Sequence, residues 1–162
     1  MSERRYRRVI MVFRRDLRVE DNRALRAAGE AAREVVPVFI FDPRQAGPHA
    51  YRSENAVRFM LASLGELEEE IRRRGGRLVY WRGEAEREIV GLAREARAEA
   101  VYFNRDYTPF SRARDEGMER ACRAAGLDVH VYDDALMHAP GEVLSRSGRP
   151  YTVFTAYLRR AE

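Results

Sequence analysis

The sequence contains no lysine, one cysteine and one tryptophan, and each scarcity excludes something. Cys122 alone rules out an internal disulfide and a thiolate metal cluster. The three histidines, His49, His130 and His138, lie far apart, so nothing reads as a zinc site and no metal is expected. The longest apolar runs, such as Val35–Phe41, fall well short of the ~20 residues a membrane-spanning helix requires. Arg4, Arg5, Arg7 and Arg8 crowd the start where a secretory signal would place an apolar stretch, so the expected compartment is the cytoplasm. Neither G-x-G-x-x-G nor a Walker A sequence is present, which removes the backbone cradle of a dinucleotide-dependent dehydrogenase. No internal repeat or low-complexity segment occurs.

The residues that are present describe one soluble domain. A length of 162 residues, 45% of them hydrophobic, allows a sizeable core and leaves no room for two ordinary domains. All 30 basic residues are arginine, set against 26 acidic ones for a net charge of +4. The signs are finely mixed. Stretches such as Glu66–Arg74 and Glu84–Arg97 read as salt-bridged solvent faces and not as a groove dedicated to nucleic acid.

Five short apolar runs recur along the chain, at Val9–Phe13, Val35–Phe41, Arg77–Trp81, Ala100–Phe103 and Asp128–Tyr132. They are continuous and not alternating, as in parallel strands covered on both faces. Stretches of helical periodicity separate them. The first is capped by Asp21 or Asn22 and carries Leu25, Ala28 and Ala32 inward. The second starts after Ser53 with a stripe of Val57, Met60, Leu61, Leu64, Leu67 and Ile71, and stops at Gly75-Gly76. The third, about Glu84 to Arg97, turns Ile89, Leu92, Ala93 and Ala96 inward; the fourth, about Phe110 to Ala125, turns Ala113, Gly117, Met118, Ala121 and Cys122. Trp81, on a strand, is expected in the core. The expected fold is therefore α/β: a Rossmann-like, doubly wound, five-stranded parallel sheet with helices on both faces, in which strands one and four are neighbours.

Ligands of such sheets bind at the carboxyl ends of the strands. Two loops should flank that crevice: Arg14 to Asn22 after strand one, and Asn104 to Pro109 after strand four. Arg15, Asp16 and Asp106 are the charged candidates, and Phe41-Asp42-Pro43 after strand two offers a further wall. Fixed charges of both signs beside aromatic rings suit a planar polar molecule. The last residues, Tyr151–Leu158, begin an aromatic-rich helix with nothing later in the chain to pack on, so this segment expects a partner or self-association. The boundaries are read as 1–140 for the α/β domain and 141–162 for a linker and the start of another unit.

The assembled residues resemble the photolyase/cryptochrome family. The matching pieces are Phe13-Arg14-Arg15-Asp16-Leu17-Arg18 with Asp21-Asn22, Val38 to Pro43, Phe59 to Leu67, and Gly83. They continue with Tyr102-Phe103-Asn104, Tyr107-Thr108-Pro109, Arg112-Ala113-Arg114-Asp115 and Gly148 to Thr155, in order and across essentially the whole chain. The resemblance implies the N-terminal α/β domain of a deoxyribodipyrimidine photolyase, which holds an antenna pigment and passes excitation energy to FAD. That FAD, the DNA-gripping surface and the light-driven repair of pyrimidine dimers are implied for a separate, larger helical domain, which is then the partner; no catalysis is expected from this chain alone. The implied antenna site comprises Arg15, Asp16, Phe39, Ile40, Phe41, Asp42, Asn104 and Asp106.

Pigment class is implied less sharply. Phe110-Ser111 stands where some folate-binding members carry an Asn-Glu pair, and Ala56 where members with a deazaflavin often carry Arg. Asp106 favours 8-hydroxy-deazaflavin over methenyltetrahydrofolate. Two other readings stay open: a cryptochrome-type photoreceptor domain, and an adenine-nucleotide-binding domain of the universal-stress type.

Overall fold

The computed structural model describes residues 4–47, 53–134, 136, 138 and 140–161. His49, and Ala135, Met137 and Ala139 of the tail, lie outside the described residues. Five strands, β1 (Tyr6–Phe13), β2 (Ala32–Phe41), β3 (Val79–Arg82), β4 (Ala100–Asn104) and β5 (Asp128–Tyr132), form one sheet in the order β3-β2-β1-β4-β5, every pairing parallel. Helices α1 (Arg23–Ala31), α3 (Glu54–Arg73), α4 (Ala85–Ala96) and α5 (Pro109–Ala124) connect them, with one-turn α2 (Pro43–Ala46) after β2. Helix α6 (Phe154–Ala161) follows β5. The doubly wound expectation, with β1 beside β4, is met. Among the described residues no helix is long and apolar enough to cross a membrane.

Alternation along the central strand divides the core into two layers. Val9, Met11 and Phe13 of β1 point with Phe39 and Tyr102 toward α1 and α3, where Ala24, Ala28, Leu64, Leu67 and Ile71 cover them. Ile10 and Val12 point with Val38, Val101 and Phe103 to the other face, under Ile89, Leu92 and Ala93 of α4 and Met118 and Cys122 of α5. Successive side chains of a strand face opposite ways, so a continuous apolar run feeds both layers at once. Gly117 lets α4 and α5 approach closely, since a Cβ there would stand 2.9 Å from Cβ of Glu86.

Several expectations of detail are corrected. Asn22 caps α1, its side chain accepting from the Leu25 N–H, whereas Asp21 takes a left-handed conformation with φ of 48°. Ala32 is buried as foreseen but opens β2, because α1 passes into the strand without a loop. Pro37 lies inside β2, one residue before pairing with β3 begins at Val38, where the missing N–H meets an open edge. The stripe on α3 is buried only from Leu64 onward. Its first two and a half turns extend past the strand ends, leaving Leu61 and Phe59 exposed. On α5 the inward face starts with Ser111, Arg114 and Asp115, while Ala113 is exposed. Trp81 is half-buried at the edge of the second layer, its Nε1 donating to Glu88 at 3.0 Å. Helix α6 buries none of its residues and shows Val153, Phe154 and Leu158 on the surface.

Candidate functional site

At the carboxyl end of the sheet, the gap between β1 and β4 is closed by hydrogen-bonded side chains. Asn104, at the last position of β4, is buried. Its Nδ2 donates to Asp16 Oδ2 at 2.6 Å and to Asn22 Oδ1 at 2.8 Å, and its Oδ1 accepts the Ala24 N–H at 3.0 Å. Asp16 also accepts the Arg14 N–H at 2.9 Å. A buried amide surrounded by these partners is satisfied and rigid. The loop after β1 is thereby locked to β4 and to the first turn of α1.

The open cavity lies to one side, over the ends of β1 and β2, and has a volume of about 640 Å³. That is within the ~300–1,000 Å³ usual for small-molecule sites. Its position follows from α3: the part of the helix that overshoots the sheet forms the far wall, with Ala56, Phe59, Met60 and Ser63. Phe39 and Ile40 of β2 and Val12 of β1 form the near wall. The polar groups are Arg14, Arg15 and Arg18 from the first loop, Asp42 and Gln45 around α2, and Arg114 from α5.

These charges are not equally free. Arg114 is buried and Arg14 largely so, and both donate to the same carboxylate oxygen of Asp115, itself buried. Arg14 also donates to the Asn104 carbonyl and lies over the Phe103 ring, yet its Nε is buried with no partner. Burial lowers the Arg114 pKa, and the neighbouring charge of Arg14 lowers it further. Burial pushes the Asp42 carboxyl up, but side-chain and backbone hydrogen bonds from Arg44, with its charge, outweigh that and hold it below the ordinary value. Arg44 in turn spans Asp42 and Glu86. Asp106 behaves alike: burial raises it, while the Ser111 hydroxyl, the Tyr107 N–H and the charge of Arg15 bring it down.

A family model described as DNA photolyase matches residues 9–162. The chain belongs to the DNA photolyase family. It is the N-terminal α/β domain of the photolyase/cryptochrome family, and this membership replaces the adenine-nucleotide reading. A deoxyribodipyrimidine photo-lyase of Agrobacterium fabrum is 38% identical over 95% of this chain and 31% of its own length. Cryptochrome-1 of Arabidopsis thaliana is 32% identical over 93% of this chain and 22% of its own. The photolyase structure from Sulfolobus tokodaii, at 41% identity, superposes with a TM-score of 0.81 over 94% of this chain and 34% of that one. The chain thus spans about a third or less of the length of these relatives.

The structure distributes the residues expected at the antenna site over four places. Arg15, Phe39, Ile40 and Asp42 line the large cavity. Asp16 and Asn104 form the hydrogen-bonded lock beside it. Phe41 faces the rim of the α3 layer, edge-on to Phe39 at 4.9 Å between centroids and stacked on Tyr80 at 5.8 Å. Asp106 lines a separate polar cleft with Tyr107, Asp133 and Asp115, and is linked to the large cavity through Arg15, at 3.5 Å, and through its N–H to Asp115. Of the α3 wall, sequence reading singled out Ala56 as a pigment-linked position and Phe59 to Leu67 as a matching piece, but took Met60 as part of the core stripe and neither Phe59 nor Ser63 as a site residue. It quoted Arg114-Asp115 as a motif, and the signal that would have promoted that pair was a charged dipeptide on the inward face of an amphipathic helix.

Proposed function

We propose that the cavity seats a light-harvesting pigment built on a flat tricycle, an 8-hydroxy-deazaflavin or a flavin, in preference to methenyltetrahydrofolate. The observation that carries this reading is the chemistry of the cavity lining: apolar walls from Phe39 and Ile40 of β2 and from Phe59 and Met60 of α3, together with charged and amide groups. Such a slot accepts a planar ring system with one polar edge. Phe39 and Ile40 sit on a strand, so the near wall is rigid, as fixed orientation of a pigment demands. The photolyase of Sulfolobus tokodaii is described as holding two FAD molecules, with the implication of a novel light-harvesting cofactor. An isoalloxazine and a deazaflavin share their outline, so that relative supports the tricycle over a pterin.

When bound, the pigment supplies light absorption and passes excitation to FAD in the family's helical domain, the partner of this chain, where pyrimidine dimers in cytoplasmic DNA are split and where DNA is held. No bond-breaking step is assigned to residues 1–162. Residues 1–140 form the antenna domain and 141–162 the linker and docking helix; the exposed Phe154 and Leu158 of α6, with Val153 just before it, are the surface that meets the helical domain, or a second copy when that domain is absent. Repair is favoured over cryptochrome signalling by the higher identity to the Agrobacterium photolyase.

Titration of the purified protein with 8-hydroxy-deazaflavin and, separately, methenyltetrahydrofolate, followed by absorbance and fluorescence, tests the reading. Saturable binding of the deazaflavin with a shifted, sharpened band is expected. A third titration with FAD covers the flavin; binding of the folate alone, or of none of the three, refutes the reading.

A further inference from the structure

Positive charge without a partner gathers at the amino ends of the strands, the end of the sheet opposite the cavity. Arg4 and Arg5 just before β1 or at its edge, with Arg7 and Arg8 inside it, meet Arg33 at the start of β2 and Arg97 ahead of β4. Backbone groups draw them together: Arg4 donates to the Arg33 carbonyl, Arg8 to the Ala96 carbonyl, and the Glu99 N–H to the Arg8 carbonyl. Three carboxylates stand among these arginines. Asp128 is paired with Arg5 and Glu34 with Arg8, while Glu99 accepts the backbone N–H groups of Arg7 and Arg8. Among the described residues, Arg4, Arg7, Arg33 and Arg97 form no ion pair, and all four are exposed. Arg7, Arg8 and Arg97 line a pit of about 250 Å³ together with Glu99. Arg97 adds an independent observation. It ends α4 in the left-handed region, with φ of 53°, where glycine is the usual residue because a side chain is strained there. An arginine in that conformation costs stability, and without an ion pair it offsets none of that cost.

The chemistry of this end selects its occupant. Among the described residues, the large exposed apolar side chains lie on α3, on β3 and after β5, not among these arginines. A membrane surface would find nothing here to enter its acyl boundary, and a single strand would find no ring on which to stack its bases. The phosphates of a duplex ask only for guanidinium groups. We propose that this end of the domain is a contact for duplex DNA, independent of base sequence and made to phosphates by Arg4, Arg7, Arg33 and Arg97. It is separate from the DNA contact assigned above to the helical domain. Because it lies at the far end of the sheet from the cavity, it stands whether or not the cavity takes a pigment.

The experiment is fluorescence anisotropy of the intact chain with a short labelled DNA duplex of arbitrary sequence, over a series of salt concentrations. Four phosphate contacts give a slope of about −3.6 in log K against log salt, or binding roughly 150-fold weaker at about 200 mM than at about 50 mM. Arg7→Gln combined with Arg97→Gly should halve the slope, to about −1.8. The Tm of that variant should equal or exceed the wild-type value, since glycine relieves the left-handed position; a residue serving only the fold would not lose affinity and keep stability together. Arg58→Gln combined with Arg82→Gln removes the same charge from exposed, unpaired residues of α3 and β3 and should leave the slope unchanged. Where the Arg7 and Arg97 variant does not fold, Arg33→Gln is read on the same plot, with a slope of about −2.7 expected. No binding at the lowest salt, a wild-type slope in the Arg7 and Arg97 variant, or an equal fall in the control variant overturns the proposal. Vesicles of anionic lipid, or a single strand of the same length, bound as tightly as the duplex also overturn it.

Discussion

Asn104 offers the most searching test of how the carboxyl end of the sheet is held. Replacing it by Asp keeps the shape and the acceptor for the Ala24 N–H, but puts an oxygen where Nδ2 stood, 2.6 Å from Asp16 and 2.8 Å from Asn22 Oδ1. Two carboxylates at that separation cannot both ionise, so the pair retains a proton and titrates as a unit. If its upper pKa is raised by ~2–3 units above the unfolded value near 4, the cost at neutral pH is about 3–4 kcal/mol, at 1.36 kcal/mol per unit. The sign follows from linkage: a group whose folded pKa is raised contributes fully below its unfolded pKa and loses that contribution as pH rises through the folded value. Asn104→Asp should therefore approach wild-type stability at pH 4.5 and fall short of it by about 3–4 kcal/mol at pH 7.5, a drop in Tm of roughly 6–16 °C for a chain of this size. Urea denaturation of both proteins at the two pH values measures this. Asn104→Ala serves as the control. It strands the buried Ala24 N–H and removes one donor from Asp16, costing roughly 2.5–6 kcal/mol with little dependence on pH. A deficit for Asn104→Asp that is the same at pH 4.5 as at pH 7.5, or below about 0.5 kcal/mol throughout, would refute the packing of Asn104 against the Asp16 carboxyl.

Other outcomes are equally open to measurement. Burial raises the Cys122 thiol pKa to about 11, so a thiol reagent at pH 8 should label none of the native protein and one equivalent in denaturant; labelling at the native-state diffusion rate would contradict the packing of α5. Asp106→Ala frees Arg15 and loosens the first turn of α5 without opening the core, so pigment affinity should drop about tenfold, or ~1.4 kcal/mol, at near-normal stability; an unchanged affinity in a fluorescence titration removes Asp106 from any role. The Asp42 carboxyl is held below its ordinary pKa, so its contribution is present above about pH 4 and is lost as pH falls through the lowered value. Asp42→Asn should accordingly lower stability at pH 7 and flatten the acid limb of a pH–Tm profile; parallel profiles would dismiss the Asp42–Arg44 pair as a contributor. Deleting residues 151–162 should abolish concentration-dependent association in light scattering, and a monomeric profile with and without the segment would show that α6 has no such role.

The sheet was legible in the sequence because continuous apolar runs leave few alternatives to buried parallel strands, and strand order follows from handedness once five such runs alternate with helices. The cavity was harder to read, since topology alone points to the gap between β1 and β4. That gap is filled by the amides of Asn104 and Asn22 around Asp16, side chains whose composition looks as much like a ligand site as like a lock. Two features displaced the opening. Helix α3 is longer than the sheet it covers, and a periodic stripe cannot disclose where its support ends. The pairing of Arg14 with Asp115 joins residues 101 positions apart, a match no local pattern reveals.

The overhang of α3 separates two demands that most binding sites impose on the same residues. The amide lock beneath the first loop sustains the fold, whereas Ala56, Phe59 and Ser63 line the cavity from a stretch of helix outside the buried core, with Met60 packing against that core. Substitutions along that stretch alter what fits the slot without disturbing the sheet. A lineage can thus change what the slot accepts by small steps on one face of one helix, each tolerated before it is useful, and the ligand is open to exchange independently of the folding of the domain.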